Sequence, residues 1–220
     1  MNLKKALIES SKKFAFRHTS FGAPRYPYTV EPIQLATLVN EIERQKSVTG
    51  NIVEIGVARG MTTRFLAEHI TKQGLDKSTT YYAIDTFNSF TDDDLQHEVI
   101  NRGKNITALR SFEYNDYAVW KANFEQYPFV KAIQSDCVAF DYAAVSPIKI
   151  AFLDVDLYLP TKKTLPKLFD AMASGGVILV DDVLDGMPYD GAYQAYMEFC
   201  SERGMEPVFI GNKCGYIQKD

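Results

Sequence analysis

The sequence predicts an α/β fold: a seven-stranded, mostly parallel sheet with helices on both faces and an antiparallel hairpin at its C-terminal end. Three observations carry that expectation. Short apolar runs alternate with stretches of helical spacing, as they do when crossover helices join parallel strands. The first such run, Ile52-Val53-Glu54-Ile55, passes through a turn bearing Gly56 and Gly60 into a helical pattern, an arrangement that lets a ligand approach the backbone near a helix N-terminus. Two later runs, Phe152-Leu153-Asp154-Val155-Asp156 and Val177-Ile178-Leu179-Val180-Asp181-Asp182, read as buried strands that end in paired acids.

Residues 1–32 form a basic, aromatic arm whose second half is kept irregular by Pro24, Pro27 and Pro32. Leu35, Leu38, Val39 and Ile42 recur at helical spacing and predict an amphipathic helix over residues 33–43. Strands follow at 51–57, 80–84, 130–134, 149–153 and 176–180, with helices at 60–73 and 161–172. Residues 193–203 read as a last helix, and 207–210 with 215–218 as the hairpin. Residues 88–127 break the rhythm; a polar and aromatic excursion of that length reads as a lid or substrate insertion. No repeat or Pro/Gly/Ser-rich linker divides the chain, and 46% hydrophobic residues suffice for one core, so residues 1–220 are expected to be a single domain.

The net charge of -4 and the scattered lysines argue against a nucleic-acid partner and for a small hydroxylated molecule. No apolar run approaches membrane-spanning length and the N-terminus lacks a signal-type h-region, which predicts a soluble, cytoplasmic protein with no membrane partner. Cys137, Cys200 and Cys214 have no metal-type spacing and read as small core residues with free thiols.

The four aspartates are the main chemical signal. In an open α/β sheet ligands bind outside the carboxyl ends of the strands, so Asp154, Asp156, Asp181 and Asp182 are expected to share one pocket. Two carboxylates ~4 Å apart repel by about 4 kcal/mol at an effective dielectric of ~20, so either some are protonated or a cation sits among them. Oxygen donors without a neighbouring His or Cys favour a hard ion such as Mg²⁺. The glycine turn lacks the second glycine of the dinucleotide fingerprint, where Ala58 stands, and the phosphate-loop pattern is absent. Asp85, closing the second strand, is placed either to bind both hydroxyls of a nucleoside ribose or to cap a turn.

Taken in order, VEIGVARG, IDTFNSF, LDVDLYLPTKKTL and SGGVILVDDV resemble the class I S-adenosylmethionine-dependent methyltransferases, with their Rossmann-like sheet, and more narrowly the macrocin O-methyltransferase family of sugar O-methyltransferases, over roughly residues 28–220. The first motif is shared by many methyltransferases, whereas D-x-D-L-Y followed by G-G-x-x-x-x-D-D is much more specific. The resemblance implies that Glu54, Gly56, Gly60 and Thr62 surround the methionine end of the cofactor, that Asp85 holds the ribose, and that Ser135 and Asp136 line the adenine. It also implies Mg²⁺ on Asp154, Asp181 and Asp182, with Asp156 as general base, for O-methylation of a sugar or other polyol. A metal-independent enzyme and an inactive cofactor-binding partner protein stay open beside it, as does a homo-oligomer; the arm is placed either to reach a neighbouring subunit or to fold over its own active site.

His18, His69 and His97 stand singly, and His69 and the pair Lys162 and Lys163 read as structural or solvated. Phe87, Phe90, Phe112, Tyr114, Tyr117 and Trp120 are placed to cover a pocket or to pack beneath the insertion, and Tyr158 to orient substrate.

Overall fold

The computed structural model describes residues 3–220. Five apolar runs form parallel strands, β1 (Asn51–Ile55), β2 (Tyr81–Asp85), β3 (Val130–Gln134), β4 (Ile148–Leu153) and β5 (Met172–Val180). The chain then closes with β6 (Val208–Ile210) and β7 (Cys214–Gln218), which pair antiparallel with each other, and β7 also pairs antiparallel with β5. The order is β3-β2-β1-β4-β5-β7-β6. Its direction of growth reverses between β1 and β4, the switch point where such sheets bind ligands.

Strand alternation feeds two cores. Ile52, Phe152, Val177 and Leu179 face Leu35, Leu38 and Ile42 of α2 (Pro32–Arg44) and Leu66 and Ile70 of α3 (Met61–Lys72). Val53, Ile55, Leu153, Ile178 and Val180 belong to the other core. There they pack with Leu165 and Leu168 of α7 (Tyr158–Ala171) and Tyr196 and Phe199 of α8 (Gly191–Arg203). α2 begins with Pro32 behind a capping box made by Glu31 and Gln34, which satisfies otherwise orphaned N–H groups.

The insertion is helical: α4 (Asp92–Arg102), α5 (Ile106–Leu109) and α6 (Tyr117–Asn123). It is anchored to the body by charge. The buried Glu98 accepts from Arg102 at 2.8 Å and from the backbone N–H of Tyr158 at 2.7 Å, and Arg102 reaches Asp190 at 2.6 Å. Gly191 is required beside this network, because a Cβ there would stand 2.3 Å from Tyr158 N.

The first half of the arm is regular. It carries a helix, α1 (Leu3–His18), with no buried residue. Its Leu, Ala, Lys and Glu residues favour helix locally, but no covered apolar face marks it in the pattern. No helix among the described residues is long and apolar enough to cross a membrane.

Candidate active site

The backbone ladder runs one residue past the strand ends. Gly56 N–H donates to Ile84 O at 2.9 Å, Ser135 N–H to Asp85 O at 2.9 Å, Asp154 N–H to Ile55 O at 2.8 Å and Asp181 N–H to Leu153 O at 2.9 Å. These bonds set Gly56, Ser135, Asp154 and Asp181 in a row along the carboxyl edge of the sheet. A cavity of about 380 Å³ opens over that edge, and all the expected site residues except Gly60 line it. Gly60 lies just behind, as the N-terminal cap of α3 with φ +84°; a Cβ there would meet Phe124 at 2.6 Å and Trp120 Nε1 at 2.9 Å.

Asp85 closes the glycine turn. Its Oδ2 accepts from the N–H groups of Val57 and Ala58 at 2.7 and 3.1 Å, and its Oδ1 from Phe87 N–H at 2.7 Å. Burial raises its pKa, against the lowering effect of those three donors. The turn-capping role is therefore present, and the Thr86 hydroxyl also donates to Oδ1 at 3.4 Å.

Glu54 lines the cavity, but its carboxylate is engaged within the protein. On an alternating strand it shares the face of Ile52, so its carboxylate lies beneath the turn, where the hydroxyls of Thr63 and Tyr81 both donate to Oε2 at 2.5 Å. Burial pushes its pKa up to about 7 despite these two bonds. A raised acid pKa favours the protonated folded state, so stability falls as pH climbs from about 4.5 to about 7 and stays lower above that. Glu54→Gln keeps both acceptor contacts without the charge. It is expected to remove about 3 kcal/mol of that loss, read as a smaller stability difference between about pH 5 and pH 8 in denaturant melts. Equal differences in variant and wild type would refute the buried ionisation.

The four acids share the cavity, and three of them form a tighter group. One carboxylate oxygen each from Asp154, Asp156 and Asp182 lie within 4.8 Å of one another. Asp181, expected as a metal ligand, stands outside this group. It continues the alternation of Val177 and Leu179 toward α2, where Oδ1 accepts from Gln34 Nε2 at 2.8 Å and Oδ2 from Lys213 Nζ at 3.0 Å. Asp182 turns the other way with φ +57°, and its Oδ1 accepts from Lys213 at 2.7 Å. Burial and then mutual repulsion raise the pKa values of Asp154 and Asp156 well above the ordinary range. Burial opposes the charge on Lys213, but Asp181 and Asp182 outweigh it and hold its pKa above normal. Among the described residues, five that are not glycine have positive φ: Ala58, Phe87, Phe112, Asp156 and Asp182. Four of them line this one cavity, where backbone strain accompanies function.

The macrocin-O-methyltransferase (TylF) family model matches residues 4–219, arm included. The chain belongs to this family. It is accordingly an S-adenosylmethionine-dependent O-methyltransferase. Solved structures show the same fold at low identity. The O-methyltransferase NovP superposes with a TM-score of 0.70 at 18% identity, over 94% of this chain and 88% of that one. The calicheamicin methyltransferase CalS11 gives 0.66 at 14%, over 99% and 93%. An O-methyltransferase from Bacillus cereus, in complex with SAH, gives 0.53 at 16%, over 99% and 90%. No curated protein matches the chain by sequence.

Within this methyltransferase cavity the remaining residues sort by position. Thr62 lies at the glycine turn, while Ser135, Asp136 and Cys137 line the wall after β3. Asp136 Oδ1 accepts from Val138 N–H at 2.8 Å, and burial pushes the Cys137 thiol up to about 12. Cys200 and Cys214 are core residues, as expected. The aromatic group splits: Phe90, Phe112 and Tyr114 face the cavity, whereas Phe87, Tyr117 and Trp120 pack on one another beneath it. Tyr158 and His97 stack at 5.4 Å away from the cavity lining, and Tyr158 donates to Glu198 at 2.9 Å. His69 pairs with Glu43 and Lys162 with Glu198 and Glu202, both structural. Lys213, Gln34 and Tyr189 were missed. Lys213 had one signal, its place in the turn of a hairpin beside the DD strand.

Proposed function

We propose that the chain methylates a hydroxyl of a sugar or other polyol, with Asp156 as general base and a hard divalent cation held chiefly by Asp154 and Asp182. The observation that carries this reading is the three-carboxylate group in the same cavity as the glycine turn. An all-oxygen donor set of that charge suits Mg²⁺. CalS11, which shares the fold, is described as a TDP-rhamnose 3'-O-methyltransferase, which favours a sugar acceptor.

S-adenosylmethionine brings a methyl group already activated on a sulfonium, so the protein has mainly to orient an oxygen and remove its proton. Gly56 and Gly60 let the turn at the methionine end form, Asp85 Oδ1 accepts from the ribose, and Ser135 and Asp136 edge the adenine. Glu54 acts from beneath, through Thr63 and Tyr81. A divalent cation, when bound, lowers the pKa of a coordinated hydroxyl. Asp156 takes the acceptor proton as the new O–C bond forms and the S–C bond breaks. Phe90, Phe112, Tyr114 and Tyr189 supply the apolar walls against which a sugar face rests and from which water is excluded.

The test needs no substrate. S-adenosylhomocysteine at ~100 times its dissociation constant is expected to raise the melting temperature by roughly 5–10 °C, and Mg²⁺ to raise it further. A shift with the product but none with Mg²⁺, together with turnover that survives chelator, would favour a second reading. In it the reaction is metal-independent and Lys213, already bonded to Asp181 and Asp182, is the cation of the site.

A further inference from the structure

Lys213 is built into the acid cluster rather than swung over it. Its backbone carbonyl accepts from Val183 N–H at 2.7 Å, one residue beyond Asp182. The preceding Asn212 donates its backbone N–H and its side-chain amide to Glu31 at 2.9 and 2.8 Å, which pins the hairpin turn to the head of α2. Gly211 is needed there: it has φ +63°, and a Cβ would lie 2.4 Å from Glu31 Oε2. The turn is thus held from both sides, and the ammonium is delivered into the cavity with 18% of its side chain exposed.

The two carboxylates it touches are not equivalent. Asp181 has both oxygens engaged, one by Gln34 and one by Lys213. Asp182 gives only Oδ1 to Lys213 and also belongs to the group formed with Asp154 and Asp156. One carboxylate therefore faces the protein's own cation and the place suited to a divalent one.

We propose that Lys213 is the resident counter-ion of the acid cluster: it holds Asp181 and Asp182 in place without a metal, and it competes with an incoming divalent cation for Asp182. This deepens the metal-dependent reading and rests on it. Uncompensated buried carboxylates are costly, so the metal-free fold needs this charge. The same charge repels a second cation a few ångström away and occupies a lone pair that the cation would use. The result is an ion that binds weakly and exchanges readily.

The two halves of the proposal move in opposite directions when the charge is removed, which separates it from a merely structural role. The experiment titrates Mn²⁺ into metal-free wild type, Lys213→Met and Lys213→Arg, following free Mn²⁺ by electron paramagnetic resonance, with melts of the same samples before and after loading. Lys213→Met is expected to melt lower without metal, to bind Mn²⁺ at least about tenfold more tightly, and to regain stability on loading. Lys213→Arg should stay within about threefold of wild type in affinity. Lys213→Gln, which retains a hydrogen-bond donor, should bind tightly as well and serves if the methionine variant does not fold. Equal or weaker Mn²⁺ binding by the neutral variants would overturn the proposal and leave Lys213 a structural residue. Failure of the metal-dependent reading looks different, since wild type and every variant would then bind no Mn²⁺ even at millimolar concentration, and both ideas would fall.

Discussion

Asparagine in place of Asp156 is expected to lower turnover about 10²- to 10⁴-fold while S-adenosylhomocysteine affinity stays within a few-fold. The substitution isolates the proton acceptor because the backbone there is demanding. Asp156 has φ +60°, a conformation that asparagine tolerates better than almost any residue except glycine. Its carbonyl accepts from Ala192 N–H at 3.3 Å, and the next N–H, of Leu157, donates to Val155 O at 2.6 Å. Leu157 itself is fully buried at the head of α7, so the segment is held on both sides. Asparagine keeps that geometry and an oxygen of similar reach, but cannot take up the acceptor's proton. Initial rates with a sugar acceptor, beside calorimetric titration of the product, read the two effects separately. Turnover within about tenfold of wild type would move the base elsewhere, whereas loss of product binding would show that the loop had collapsed.

Local chemistry made much of this site legible. The motifs that place Asp154, Asp156 and Asp182 at strand ends are local in the chain, and a strand end is where an open sheet presents its ligands. Asp181 stands apart from that group because neighbours in extended chain point to opposite faces, and on the face it takes it meets Gln34, 147 residues away. Lys213 carried little more than its place in a hairpin turn, for a related reason. It reaches Asp182 only because β7 pairs with β5 in the register that sets Val180 opposite Gly215. Glu54 carried a cofactor motif, yet the strand face it shares with Ile52 puts its carboxylate among Thr63 and Tyr81. β5 starts at Met172, four residues ahead of the expected 176–180; a Cβ on Gly176 would lie 3.0 Å from Ile148 O, so the glycine marks close strand contact.

Gly56→Ala is expected to be among the most damaging single substitutions in the protein, at about 4 kcal/mol or more of stability, and to weaken S-adenosylhomocysteine binding as well. Two costs coincide at this position. Its φ of +81° lies in the left-handed region, and a Cβ would stand 1.7 Å from the carbonyl oxygen of Asp154. That contact is with backbone, so no side chain can rotate away. The ends of β1 and β4 would have to separate by more than an ångström. They are tied at that point by the bond from Asp154 N–H to Ile55 O, and on the other side by the bond from Gly56 N–H to Ile84 O. Moving them apart displaces Asp154 from Asp156 and Asp182 and tilts the turn that Asp85 closes. Gly74→Ala provides the comparison, because Gly74 has φ +68° with nothing within 4 Å of a Cβ. It should show the backbone cost alone, about 1 kcal/mol. Urea melts of the two variants therefore separate conformational strain from close approach. A Gly56→Ala loss no larger than that of Gly74→Ala would mean that the strand ends yield easily. A much larger loss, with weakened product binding, would place the bare backbone of Gly56 at the junction of cofactor turn and acid cluster, where the sheet reverses its order.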